Sequence, residues 1–514
     1  MFRLLVPALL LALLNACATA PPTEDAGPEV AAAPAPEAPE PVERAIPDDS
    51  LYPLLVAEFA LRRHDYDVAL ENYREQALIL RDPGVSAHAT HLAQFMQREA
   101  EALELVQQWV ELEPDSTEAH NTLATLLVRQ GRTVEAMPHL AAVARAGMDT
   151  NFPILLSGFD ELDPEQQAEL VRGINELAVE FPENIQLLLT QALILAQYKQ
   201  FDGALAKLEQ LFELQPYQPQ GMLLESKILL TVEDPAPFAR LERALENDPK
   251  DQRLRLQYAR LLSVSDLPAA RQQFEILSAQ SPRDGDLLLS LALINREIGD
   301  DLTAKAYLRQ MLSLGQRTDE AHYYLGRIAE DGGDEDAALG HYNQVQDGRE
   351  LLSAAQRAGI ILVGKGALEE SHAGFERRRR AHPQQGEQLY ALEADLLTQA
   401  GELDAAMDIL NKALHEYPES NSLRYSRSML GEQRNDLALM ERDLRSIIDR
   451  DPDNATALNA LGYTLANRTD RYEEAYTLIA RALELQPDEP AILDSMGWIL
   501  YLSLIHISEP TRRH

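Results

Sequence analysis

The 514-residue chain holds 83 acidic against 46 basic residues, a net charge of -37 and a pI near 4.7. That balance excludes a nucleic-acid partner, which needs a clustered basic face. With 45% apolar but only 6% aromatic residues, the chain is rich in Ala and Leu, poor in strand formers, and reads as all-α.

In chain order the first element is a leader. Arg3 precedes the apolar run Leu4 to Leu14, which ends in Leu14-Asn15-Ala16-Cys17. A bilayer span needs about 20 residues, so residues 1–16 read as an export signal. Cys17 is the single cysteine and can form no internal disulfide. The segment resembles a bacterial lipoprotein signal. That resemblance implies acylation of Cys17 by lipid chains such as palmitate, and, because no Asp follows it, residence at the periplasmic face of the outer membrane.

Residues 17–50 read as a tether. From 18 to 50 there are eight Pro, nine Ala and eight acidic residues against Arg44 alone, as in Ala33-Pro34-Ala35-Pro36-Glu37. Such a stretch buries too little apolar surface to offset its ordering entropy and is expected to stay unfolded. At about 3.1 Å per residue it would reach roughly 100 Å from the lipid.

Residues 51–501 are periodic. Pro114, Pro182, Pro216, Pro249, Pro282, Pro383, Pro418, Pro452 and Pro487 are separated by about 34 residues or multiples of it. Ala192, Ala204, Leu208 and Leu211 repeat the spacing of Ala124, Ala136, Leu140 and Val143. Leu325-Gly326, Ala338, Tyr342 and Val345 follow it, as do Leu291-Ala292, Ala304, Leu308 and Met311. Small residues so spaced let two antiparallel helices touch, the following apolar residues form one stripe, and Pro stops the second helix. Turn signals at Gln130-Gly131-Arg132, Ile298-Gly299-Asp300 and Ala400-Gly401-Glu402 fall between the helices.

These positions resemble the tetratricopeptide repeat, with small residues at its eighth and twentieth places and a closing Pro. The resemblance implies about twelve hairpins stacked as a right-handed solenoid. Residues 148–170 and 346–382 fit the register poorly, and the unit at Gly462 and Ala475 has one extra residue.

Toward the C-terminus, Ala457-Leu458-Asn459-Ala460-Leu461-Gly462-Tyr463 and Asp488-Glu489-Pro490-Ala491-Ile492 through Trp498 resemble the large tetratricopeptide lipoproteins of Gram-negative outer membranes. Membership of that family implies an adaptor presenting peptidoglycan hydrolases to a periplasmic carboxy-terminal processing protease. A scaffold for envelope assembly, such as polysaccharide export or pilus biogenesis, is the alternative, and an enzyme of unrecognised type the third reading. Residues 502–514 resemble translated sequencing-adapter DNA, so a truncated last unit is expected, with Leu502 to Ile507 strand-prone and liable to aggregate.

No catalytic, cofactor or metal constellation emerges from the sequence. His88 and His91 stand one helical turn apart but lack a third ligand nearby and read as surface or packing residues. The run Arg377 to Arg380 would point all round a helix axis and reads as a solvated turn. Stacked hairpins instead line a groove with their first helices. Candidate partner-binding residues there are Asn121, Thr125, Tyr425, Asn459, Tyr463 and Trp498, because Asn and aromatic side chains supply hydrogen bonds and anchor area.

Overall fold

The computed structural model describes residues 47–508. The leader 1–16, Cys17, the tether as far as residue 46 and the tail from 509 lie outside the described residues. The chain divides into two compact units, Met1–Tyr258 and Ala259–His514, and the described residues contain no strand.

The first unit holds α1 (Asp48–Arg62), α2 (Tyr66–Leu80), α3 (Pro83–Phe95), α4 (Glu99–Leu112), α5 (Thr117–Arg129), α6 (Thr133–Arg145), α7 (Pro164–Glu180), α8 (Ile185–Gln197), α9 (Phe201–Leu214), α10 (Pro219–Thr231) and α11 (Ala239–Asn247). The boundary falls inside α12 (Gln252–Ser265). The second unit continues with α13 (Leu267–Gln280), α14 (Gly285–Ile298), α15 (Asp301–Leu314), α16 (Thr318–Asp331), α17 (Glu335–Tyr342), α18 (Leu351–Gly364), α19 (Leu368–Ala381), α20 (Gly386–Gln399), α21 (Leu403–Glu416), α22 (Asn421–Gln433), α23 (Leu437–Arg450), α24 (Ala455–Arg468), α25 (Tyr472–Leu485) and α26 (Pro490–Ser508). Within each unit, successive helices pack as hairpins: α1 on α2, α3 on α4, α5 on α6, α8 on α9, then from α14 on α15 through α24 on α25.

Proline ends the second helices. Each of the nine prolines stands two residues past a helix, as Pro114 does after Leu112 and Pro487 after Leu485. The intervening residue cannot stay helical because the following pyrrolidine ring clashes with its backbone. Glu113, Phe181, Tyr417 and Gln486 accordingly have ψ of 72, 69, 66 and 80°. Between the two helices of a hairpin, Gly131 and Gly299 adopt φ of 73 and 89°, left-handed values that glycine reaches without steric cost.

Small residues are buried within the hairpins. Ala192 and Ala204 in one unit, like Ala124 and Ala136 in another, are nearly inaccessible to solvent. At Gly326 an added Cβ would stand 2.6 Å from the ring of Tyr342, and at Gly462 it would stand 2.6 Å from Ile479 Cγ1.

The segments that fit the periodicity poorly depart from the hairpin. Between α6 and α7 a first helix is replaced by two 3-10 turns, Phe152–Leu156 and Phe159–Glu161. Pro153 and Gly158, the latter at φ 71°, interrupt the helical path there, while Phe152 and Leu155 are fully buried. Near residue 346, α17 stops at Tyr342, and Asp319 Oδ1 accepts the backbone N–H of Asp347 at 3.1 Å.

Three expectations are corrected. Helix α1 begins at Asp48, inside the stretch read as unfolded tether, and buries Ser50. Residues 502–508 continue α26 instead of forming strand, since no breaker intervenes before Pro510. The arginine run is not a solvated turn. Arg379 is buried, donates to Glu393 Oε2 at 2.6 Å and lies 4.0 Å from the Tyr390 ring centroid. Arg378 donates to the carbonyl of Tyr342 at 3.0 Å, and burial pulls its guanidinium down to about 10.

Candidate functional site

In the second unit α22, α24 and the start of α26 line one groove. From α22 come Tyr425, Met429 and Glu432, spaced to share a helix face; from α24 come Thr456, Asn459, Ala460 and Tyr463. Glu489, Ile492, Asp494 and Ser495 close the far side. The groove therefore gathers Tyr425, Asn459 and Tyr463, three of the six residues proposed from sequence.

Tyr463 is 38% exposed, an aromatic face open to a partner. Burial, and next the Glu432 carboxylate, push the Tyr425 phenol above its ordinary value, so it stays a neutral hydrogen-bonding group. Asn459 Oδ1 is buried and finds no donor. Leaving such an acceptor unpaired costs about 1–3 kcal/mol. Glu432, Glu489 and Asp494 bring three carboxylates, and no basic residue lines the groove. The site is chemically suited to an apolar or aromatic anchor flanked by cationic groups.

The other three candidates lie elsewhere. Thr125 donates its hydroxyl to the Asn121 carbonyl at 2.8 Å, within α5, and neither residue lines either groove. The first helix that would follow α5 is the one replaced by 3-10 turns. Trp498 Nε1 donates to Asn467 Oδ1 at 2.8 Å and the indole packs on Tyr501, away from the groove. His88 lies against Tyr73 and His91 against Trp109, so the H-x-x-H pair is split between two different aromatic neighbours.

A second groove, in the first unit, was missed from sequence. It runs over α8, α10 and the start of α12, with Pro153, Leu156 and Phe159 of the 3-10 segment at one end. The register could have found it. Leu193 and Lys227 stand eleven residues past Pro182 and Pro216, as Tyr463 stands eleven past Pro452.

Comparison with known proteins bears on the repeats. Family models described as tetratricopeptide repeat match residues 302–351, 386–420 and 432–490. The TPR repeat-containing protein PA4667 of Pseudomonas aeruginosa is 40% identical over 485 residues, which cover 94% of this chain and 81% of that protein. The chain belongs to the tetratricopeptide-repeat proteins. Among solved structures, yeast Tom70 is similar at 15% identity and a TM-score of 0.32, over 90% of this chain and 97% of that one. YrrB, described as a TPR protein with an unusual peptide-binding site, is similar at 18% identity and a TM-score of 0.23, over 44% and 97%. Tetratricopeptide repeats and their hairpins make the molecule a protein-interaction scaffold.

Proposed function

We propose that this scaffold holds a cationic, apolar-anchored segment of a protein partner in the groove of Tyr425, Asn459 and Tyr463. The observation that carries the reading is the coincidence, in one groove, of an open tyrosine face, an unpaired buried amide oxygen and three carboxylates without basic neighbours. An aromatic anchor removes apolar surface from water, and the carboxylates favour Lys or Arg beside it.

The finer reading places the scaffold as a lipid-anchored adaptor at the periplasmic face of the outer membrane, presenting peptidoglycan hydrolases to a carboxy-terminal processing protease. Supporting it are the leader ending in Ala16-Cys17, the acidic tether and the likeness of residues 457–498 to such lipoproteins. Two acyl chains hold a protein on a membrane where one does not. Cys17→Ala should therefore leave the outer-membrane fraction, and retention there would contradict the anchor.

The adaptor role is tested by the rate at which the protease degrades a purified hydrolase. Adding the full chain should accelerate cleavage. Tyr463→Ala with Asn459→Ala should weaken capture by about 2 kcal/mol, roughly thirtyfold in Kd. Equal rates with and without the chain would refute the adaptor role.

A further inference from the structure

Two hairpins, one in each unit, hold a pair of histidines that face each other. His120 of α5 and His139 of α6 bring their Nδ1 atoms to 2.8 Å, and His322 of α16 and His341 of α17 bring theirs to 3.1 Å. The ring planes meet at 34° in the first pair and 40° in the second, so the same arrangement is built twice. Both pairs share one register. The first histidine stands four residues before the small residue of its own helix, Ala124 or Gly326, and the second stands three residues after Ala136 or Ala338.

The fold does not require histidine at these places. In the hairpins that cross at Ala192 and Ala204 and at Ala292 and Ala304, the same places hold Leu188 with Lys207 and Leu288 with Tyr307. Four of the chain's twelve histidines nonetheless occupy them, both members together each time. Two ring nitrogens so close have room between them for one proton, so one of the two keeps a lone pair. With both rings neutral, His120 donates from Nε2 to the Pro114 carbonyl at 2.8 Å, and its Nδ1 accepts from His139 Nδ1.

A metal-ligating imidazole needs one nitrogen free for the ion and the other held by a group, often a backbone carbonyl, that fixes its tautomer and orientation. His120 has both. With metal–nitrogen bonds of about 2.0 Å, two cis ligands of a tetragonal ion stand about 2.8 Å apart, and two ligands of a tetrahedral ion about 3.3 Å. The first pair, at 2.8 Å, has the cis separation, and the second, at 3.1 Å, needs only a small ring rotation to reach it. Among the described residues no third His, Cys, Asp or Glu completes either group, and all four rings are half-buried, so water can take the remaining positions. Glu135 near His139 and Asp319 near His322 add negative potential that favours a cation, which Arg309 opposes at His341.

We propose that each histidine pair chelates one copper(II) ion through its two Nδ1 atoms, as neighbouring ligands of a tetragonal site completed by water. Among the first-row divalent ions copper(II) binds such a nitrogen pair most tightly and favours that geometry. The ion takes the place of the shared proton, which in the first pair passes to Nε2 of His139. Each site joins the two helices of one hairpin, so binding is coupled to the folded hairpin and adds to its stability. The sites are independent of the Tyr463 groove and of any partner held there.

The test uses the full chain, purified without a histidine tag and carrying Cys17→Ala so that no thiol competes. It is titrated with Cu2+ in excess Mg2+, which occupies the diffuse carboxylate sites of so acidic a chain. One copper ion per histidine pair should bind, with a tetragonal electron paramagnetic resonance spectrum split by two nitrogens per ion. His139→Gln and His341→Gln should each weaken one of the two equivalents at least about tenfold, and combined should remove both. His120→Gln, which takes away the other ligand of the first site, should match His139→Gln. Helical circular dichroism of the copper-free variants should be unchanged, and His88→Gln with His91→Gln should keep both equivalents. Zn2+ should displace the copper only in large excess. Uptake unchanged in the combined variant, a spectrum without nitrogen splitting, displacement by Mg2+, or loss of an equivalent from His88→Gln with His91→Gln would each overturn the proposal.

Discussion

Glu393→Leu is expected to destabilise the packing of α19 against α20 by about 3–5 kcal/mol. Glu393 is 2% exposed and accepts from Arg379 at 2.6 Å while lying 2.7 Å from His372 Nδ1. Leucine would fill its volume but strand the Arg379 guanidinium, itself buried against Tyr390, without a counter-charge. Repeat arrays unfold locally, so hydrogen exchange of the α19 and α20 amides is the proper readout. Those amides should exchange more than about a hundredfold faster. Arg379→Met combined with Glu393→Leu should recover most of the loss, because an apolar pair of similar volume replaces a buried ion pair at little cost. Exchange unchanged in the single variant would show that the pair contributes nothing.

Gly462→Val should be the most damaging substitution near the Tyr463 groove, costing about 3 kcal/mol by overpacking. Glycine inside an exposed helix normally costs roughly 0.5–1 kcal/mol relative to Ala, so a larger residue would ordinarily help. Here the added Cβ meets Ile479 Cγ1 at 2.6 Å and the backbone oxygen of Ala475 at 2.9 Å. A side chain can turn away, but the backbone of α25 can yield only by separating the hairpin. Gly340 in α17 is the control, exposed and with nothing within 4 Å of where a Cβ would stand. Gly340→Ala should stabilise by about 0.5–1 kcal/mol. Thermal melts of both variants decide the matter, and two shifts of the same sign would refute the packing argument.

The hairpins were legible because their determinants are local and repeated. A proline two residues past each helix and small residues at the crossing act through sterics that recur every unit, so Pro418 or Ala204 can be read without knowing the neighbours. The 3-10 segment was legible only as a break in the register over 148–170; its form was not, since burial of Phe152 and Leu155 depends on how the chain turns at Pro153 and Gly158. Charges were misread for a related reason. Arg378 and Arg379 belong to an exposed-looking run, yet their partners, the Tyr342 carbonyl and Glu393, lie 36 and 14 residues away.

Groove residues were legible in direction but not in context. Thr125, Lys227, Tyr463 and Trp498 all stand eleven residues past a repeat proline, so all four share one register. Only where first helices follow one another does that register make a groove. Lys227 and Tyr463 have such neighbours, whereas Thr125 precedes the 3-10 segment and Trp498 turns to Asn467.

The central claim, that the Tyr463 groove is where a protein partner binds, is tested most directly by placing a photo-reactive phenylalanine analogue at position 463. The same analogue at Tyr476, an exposed residue on the second helix of that hairpin, serves as the comparison. Irradiation with the purified protease and a hydrolase substrate should give, from position 463, an adduct to one defined cationic segment of either protein, lost on adding excess unlabelled partner, and none from position 476. Adducts of equal yield from both positions, or none from 463 while the proteins still associate, would contradict the account.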